Sequence, residues 1–105
     1  MGPAAKGHAL ILPKKHYTDL IDLPEETAAH AMVLAKKVMT KMRDVLKCDG
    51  YNLVQNNGAA AGQTVFHFHM HLIPRMENDK VGVTWTPGTL TDEDKRDILS
   101  KCSFK

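Results

Sequence analysis

His67, His69 and His71 alternate with Phe68, Met70 and Leu72 inside the run Thr64–Pro74, TVFHFHMHLIP. Alternate side chains of an extended strand share a face, so this spacing sends three imidazoles to one side, about 6–7 Å apart along the chain. Phe66, Phe68, Met70 and Leu72 then form the opposite, core side. Each imidazole has a ring donor and a ring acceptor to satisfy, so a row of three makes a poor packing surface. Two chemistries use such a row. One is metal coordination by neutral ring nitrogens. The other is phosphoryl transfer, in which one histidine attacks phosphorus while its neighbours hold the charged oxygens. The alternation alone leaves both open.

The flanking residues favour the second. Gly62-Gln63-Thr64-Val65 lies just before the row, and Asn56-Asn57-Gly58 lies before that. Glycine lets backbone N–H groups approach an anion closely, and Gln63 and Thr64 add neutral donors. A metal site wants a fourth ligand nearby, yet no Asp, Glu or Cys lies between Gly50 and His71.

The elements that must position these residues are few. His8 to Pro13 (HALILP) reads as a short strand, closed by a proline that cannot donate to a ladder. Pro13 to Asp19 is a connector. A long helix follows, capped at Asp22 or Leu23, with Pro24 in its first turn and Glu25 and Glu26 facing the positive end of its dipole. Ala28, Met32, Ala35, Met39, Met42 and Leu46 recur three or four apart and form one stripe for packing on a sheet, with Lys36, Lys37, Lys41 and Arg43 on the wet side. Gly50 is the expected C-terminal glycine of the helix region. Tyr51 to Gln55 reads as a second strand, Asn56 to Gly62 as a tight loop and Thr64 to Pro74 as a long third strand. Met76 to Thr91 is irregular, and Thr91 with Asp94 makes a capping box for a last helix running to about Lys101. The fold class is therefore α+β: an antiparallel sheet with one long helix packed across it and a short C-terminal helix. Three strands are few for independent stability, which points to a partner subunit that completes the sheet.

Composition sets the outer bounds. The 105 residues suffice for one domain with one core, and 43% hydrophobic with 25% charged residues is an ordinary globular balance. A net charge of +2 gives no case for a nucleic-acid or membrane partner. Cys48 and Cys102 form no C-x-x-C pair and read as reduced thiols. With no apolar run of membrane-spanning length and no signal-peptide pattern at the start, the expected location is the cytoplasm. His30 reads as a surface histidine. Arg75 is either solvated or in touch with a distal phosphate, and Trp85 is either packed on the domain or a lid over a base.

Ala61-Gly62-Gln63-Thr64-Val65-Phe66-His67-Phe68-His69-Met70-His71-Leu72-Ile73 resembles the signature of the histidine-triad (HIT) family, H-φ-H-φ-H-φ-φ preceded by G-Q-[ST]-V. Gly7-His8-Ala9-Leu10-Ile11-Leu12-Pro13-Lys14-Lys15-His16 is similar to the family's upstream G-H-x-L-φ-x-P-K-x-H strand, and the likeness runs from about Pro3 to Pro74. The resemblance implies a HIT-like fold and a homodimer joined sheet edge to edge. It also implies cleavage at the α-phosphate of nucleoside phosphoramidates or dinucleoside polyphosphates, with a purine nucleotide as substrate. By position, His69 is the nucleophile, His71 the phosphate contact, His67 the support beside it and His8 a further histidine of the catalytic group. Asn56, Gly62, Gln63 and Thr64 match phosphate- and ribose-side contacts. The family usually has two further strands ahead of the G-H motif, so the chain is expected to be an N-terminally short version of one domain, residues 1–105. Relatives with an N-terminal C-x-x-C bind zinc together with histidines matching His16 and His67. That pair is absent from this sequence, so no cofactor is expected, and His16 is read as a polar strand-end residue. A non-catalytic nucleotide-binding or protein-interaction module of the same fold is the competing reading, and a His-ligated metalloprotein a third.

Overall fold

The computed structural model describes residues 6–83 and 85–102, so Pro3, where the resemblance begins, lies outside the described residues. Along the chain run β1 (Ala9–Ile11), α1 (Glu25–Leu46), β2 (Gly50–Val54), a short 3-10 turn (Ala59–Ala61), β3 (Met70–Arg75) and α2 (Asp92–Lys101). The three strands form one antiparallel sheet in the order β1-β3-β2, with Leu10 and Val54 flanking His71 and Ala9 and Leu53 flanking Leu72. This is the expected α+β layout: a small antiparallel sheet, one long helix across it and a short terminal helix.

Leu72 is fully buried at the centre of the sheet, and Phe68, Met70 and Ile11 join it beneath Ala31, Ala35 and Met39 of α1. Burial of such side chains contributes roughly 1.5–3 kcal/mol each and holds the helix on the sheet. The helix stripe is rotated slightly from the expected one. Ala31 faces the core, and Val38 packs at its margin, whereas Met32 is 54% exposed. Pro24, without a side-chain cap bond, occupies the N-cap position instead of Asp22 or Leu23. At the other end Lys47 turns left-handed (φ 55°) and donates its N–H to the Arg43 carbonyl, so Lys47 closes the helix and Gly50 instead begins β2.

The third strand is shorter than its alternating pattern suggests. Residues 65–67 bend, and regular pairing begins only at Met70. The reason is the partner available: the Phe68 N–H is taken by the Tyr17 carbonyl of the connector, at 2.6 Å, before the chain reaches β1 and β2. Phe66, ahead of this bend, is half exposed and not part of the core. Pro74 is tolerated in β3 because it lies past the end of β1 and faces only Tyr51 of β2. Gly7 leads into β1 at φ +89°, where a Cβ would stand 2.8 Å from Leu46 Cδ1, so only glycine lets the chain enter between α1 and β3.

Beyond β3 the chain changes character. Arg75 pins the turn that follows: it donates to both carboxylate oxygens of Asp79, to Asn52 Oδ1 and to the Val81 carbonyl, at 2.7–2.9 Å. From Gly82 to Cys102 every described residue is exposed. The expected box at α2 is present, with the Thr91 hydroxyl accepting from Asp94 N and the Asp94 carboxylate accepting from Thr91 N. No helix among the described residues is long and apolar enough to cross a membrane.

Candidate active site

The face of the sheet opposite α1 carries His71, and His8 enters beside it from just before β1, with its Nε2 2.8 Å from His71 Nδ1. His69 stands one residue ahead of β3. Its ring meets that of His71 edge-on, with centroids 5.0 Å apart and planes at 72°. The period-two spacing across the start of β3 therefore does bring these two rings together, as alternation requires.

His69 Nδ1 lies 2.7 Å from the carbonyl oxygen of His67. A carbonyl only accepts, so Nδ1 carries the hydrogen and the lone pair is left on Nε2. The bend at residues 65–67 makes this contact possible, because it tips the His67 carbonyl back toward the following histidine. His67 takes a different direction. Its Nε2 donates to the Pro13 carbonyl at 3.2 Å, and its Nδ1 meets His16 Nδ1 at 3.1 Å. With Nε2 protonated, His67 Nδ1 is the acceptor and His16 Nδ1–H the donor. The connector thus holds His67 through Pro13 and His16. The spacing P-K-K-H after β1 was the available signal, since it carries His16 back past the strand end.

Among these rings, the environment of His71 disfavours its charged form. Burial lowers the pKa of His71, and the neighbouring His69 and His8 lower it further. A neutral His71 presents Nε2–H as a donor when its Nδ1 accepts from His8, which suits an oxygen of a phosphate group.

The glycine-rich segment before the bend is a compact turn. Gly62 adopts φ +97°, with the Asn56 amide 3.6 Å from where its Cβ would be, and the Gly62 and Gln63 N–H groups bond back to the Ala59 and Gly58 carbonyls. Asn56 is half-buried and Thr64 exposed. Gln63 is buried, with both ends of its amide bonded within the protein. Of the remaining candidates, Arg75 is partly exposed and paired with Asp79. His30 is exposed on α1, and Trp85 is 82% exposed. Cys48 and Cys102 are both free.

The fit to a metal is poor. Among the described residues no group of three or more His, Cys, Asp or Glu side chains is placed to hold an ion. The His16–His67 pair supplies two imidazoles where a structural zinc ion takes four ligands. No step below passes through a metal.

Fold and cluster together define a small α+β domain that presents a histidine pair, one ring held through Nδ1 by a main-chain carbonyl, following a glycine turn in the chain. Comparison with known proteins gives the same class. The family model described as HIT domain matches residues 1–78, and this chain belongs to that family. It is 43% identical over 99 residues to "Adenosine 5'-monophosphoramidase HNT1" of Saccharomyces cerevisiae, covering 94% of this chain and 60% of the yeast protein. It is 44% identical over 80 residues to "Adenylylsulfatase HINT3" of Arabidopsis thaliana, covering 73% of this chain and 39% of the plant protein. Among solved structures, a HIT family member from Bacillus subtilis superimposes with a TM-score of 0.85 at 36% identity, over 93% of this chain and 72% of that one. The chain thus spans well under two thirds of the length of the two named enzymes.

Proposed function

We propose that this chain is a nucleotide hydrolase or transferase that cleaves at the α-phosphate of nucleoside phosphoramidates or dinucleoside polyphosphates. The observation that carries this reading is the 2.7 Å bond from His69 Nδ1–H to the His67 carbonyl, which leaves Nε2 as a fixed, unprotonated nucleophile. The Nε2 lone pair attacks phosphorus, and the bond to the leaving group breaks with its electron pair, a leaving amine taking up a proton from solvent that the water of the second step later returns. His71 Nε2–H and the exposed Thr64, next to the turn that Gly62 closes, stabilise the charge that builds on the phosphoryl oxygens. Water then attacks the same phosphorus, the P–Nε2 bond breaks, and His69 recovers its lone pair with release of the nucleoside monophosphate. Splitting one displacement into two lowers each barrier.

In this reading His67 and His8 orient the reacting pair, Asn56 belongs to the nucleotide side of the site, and the buried Gln63 acts on it through the turn it holds. A purine is favoured because both named enzyme relatives carry adenosine or adenylyl in their names. A homodimer is also proposed. Among the described residues β1 and β2 each leave one edge unpaired, and Tyr51 and Leu53 of β2 are 49% and 39% exposed. Sedimentation equilibrium reads this directly: a dimer mass is expected, and a monomer mass at micromolar concentration contradicts it.

The activity test is incubation with adenosine phosphoramidate, with and without a chelator. Release of AMP unaffected by chelator is expected. Binding without release would make the chain a nucleotide-binding module instead.

A further inference from the structure

Among the described residues, Gln63 is the buried polar side chain, 3% exposed. It uses its whole amide inside the protein. Nε2 donates to the Thr18 carbonyl at 2.7 Å and to the Val65 carbonyl at 3.1 Å, and Oε1 accepts from Gly58 N at 2.8 Å. These partners belong to three segments: the connector after β1, the bend leading into His67, and the glycine turn. The same connector accepts from Phe68 N through Tyr17, holds His67 through Pro13, and donates from Leu20 N to Asn57 Oδ1 at 2.8 Å.

Resting on the site proposed above, we infer that Gln63 is a positioning residue whose amide braces the glycine turn and the connector against the bend that carries His67 and His69. The chemistry demands an amide there. Two carbonyls need a donor and one N–H needs an acceptor, all at one buried point, and an uncharged primary amide supplies both. A carboxylate would face two carbonyl oxygens, and a thioether would leave all three groups unpaired. For the side chain to bind substrate, these bonds would have to break. Its effect on turnover therefore passes through the placement of the turn relative to His69 Nε2, and a displacement on the order of 1 Å at such a site costs about 100-fold in rate.

The test compares wild type with Gln63→Glu and Gln63→Met, following AMP release from adenosine phosphoramidate across pH together with amide hydrogen exchange. At neutral pH both variants are expected to lose about 100-fold in kcat, with KM moving by less than about threefold. The kcat of Gln63→Glu relative to wild type should rise as pH falls, because the protonated carboxyl regains one donor while its other oxygen still accepts from Gly58 N. For Gln63→Met the same ratio should stay flat. The Gly58 amide should exchange about 10-fold faster in Gln63→Met, while β2–β3 amides keep their protection. A Gln63→Met kcat within twofold of wild type, a loss confined to KM, or a flat Gln63→Glu ratio each overturns the inference. If wild type releases no AMP, the functional reading fails. The brace is then judged by exchange alone, and unchanged Gly58 protection in Gln63→Met overturns it.

Discussion

At the histidine end of the sheet, side chains are held by main chain drawn from distant parts of the sequence. Pro13 fixes His67, Tyr17 fixes Phe68, and Thr18 and Gly58 meet on Gln63. Beyond Gly82 the described residues are exposed throughout, and α2 is organised by its own first turn and by ion pairs three or four residues apart. The radius of gyration, 16.5 Å, reflects this: a compact domain of similar length comes to about 13 Å. The contrast shows where function is encoded. The histidine cluster exists only when the sheet, connector and turn are assembled, whereas the terminal helix is written in ten consecutive residues, none of them buried.

The sharpest way to break the comparison is His69→Ala. Removing the proposed nucleophile should reduce AMP release by at least about 10⁴-fold while the fold and its unfolding midpoint stay unchanged, since His69 lies outside the buried cluster. A near-normal rate would end the assignment. Next comes Leu72→Ala at the fully buried centre of the sheet, which should cost about 3–4 kcal/mol in urea unfolding and take the site down with the fold. Intact stability there would mean that the histidine end does not depend on the sheet.

Acid should act on the same body. The Arg75 guanidinium, with help from the Met76 N–H, holds the Asp79 carboxylate well below its usual range. The unfolded chain therefore takes up this proton first, so the stability contributed by the pair is complete above the ordinary carboxylate pKa of about 3.9 and drains away as pH falls below it. His71, also lowered, adds a loss that begins as pH drops below about 6.5, because the unfolded imidazole protonates before the folded one. Urea midpoints between neutral and acid pH should fall in these two windows, and Asp79→Asn should flatten the lower one. The smallest effect belongs to the arm. Thr91→Ala should weaken α2 by about 1 kcal/mol, seen as lost helical dichroism, with the sheet's unfolding unchanged. A shift in the sheet's midpoint would show that the arm has a partner within the assembled protein.

Much of this was legible in the sequence. The stripe from Ala28 to Leu46 announced α1, the box at Thr91 announced α2, and the alternation from Phe68 to Leu72 separated core from site. Local pattern carried those elements. It could not show that the Tyr17 carbonyl would claim Phe68 N and end the strand early, since that bond joins residues far apart in the chain. The same nonlocality made Gln63 look like an open donor when both of its amide hydrogens are engaged by the Thr18 and Val65 carbonyls. Residue types suggested a chemistry, and only the assembled fold shows that His69 Nδ1 is bonded to the His67 carbonyl.

Attack by His69 Nε2 is the central claim, and trapping the covalent intermediate tests it most directly. Wild type mixed with excess adenosine phosphoramidate, stopped within a turnover by alkaline denaturant and mapped by peptide mass spectrometry, should carry one AMP group on the peptide containing His69, attached through Nε2. AMP accumulating with no protein adduct, or an adduct on any other residue, would contradict it.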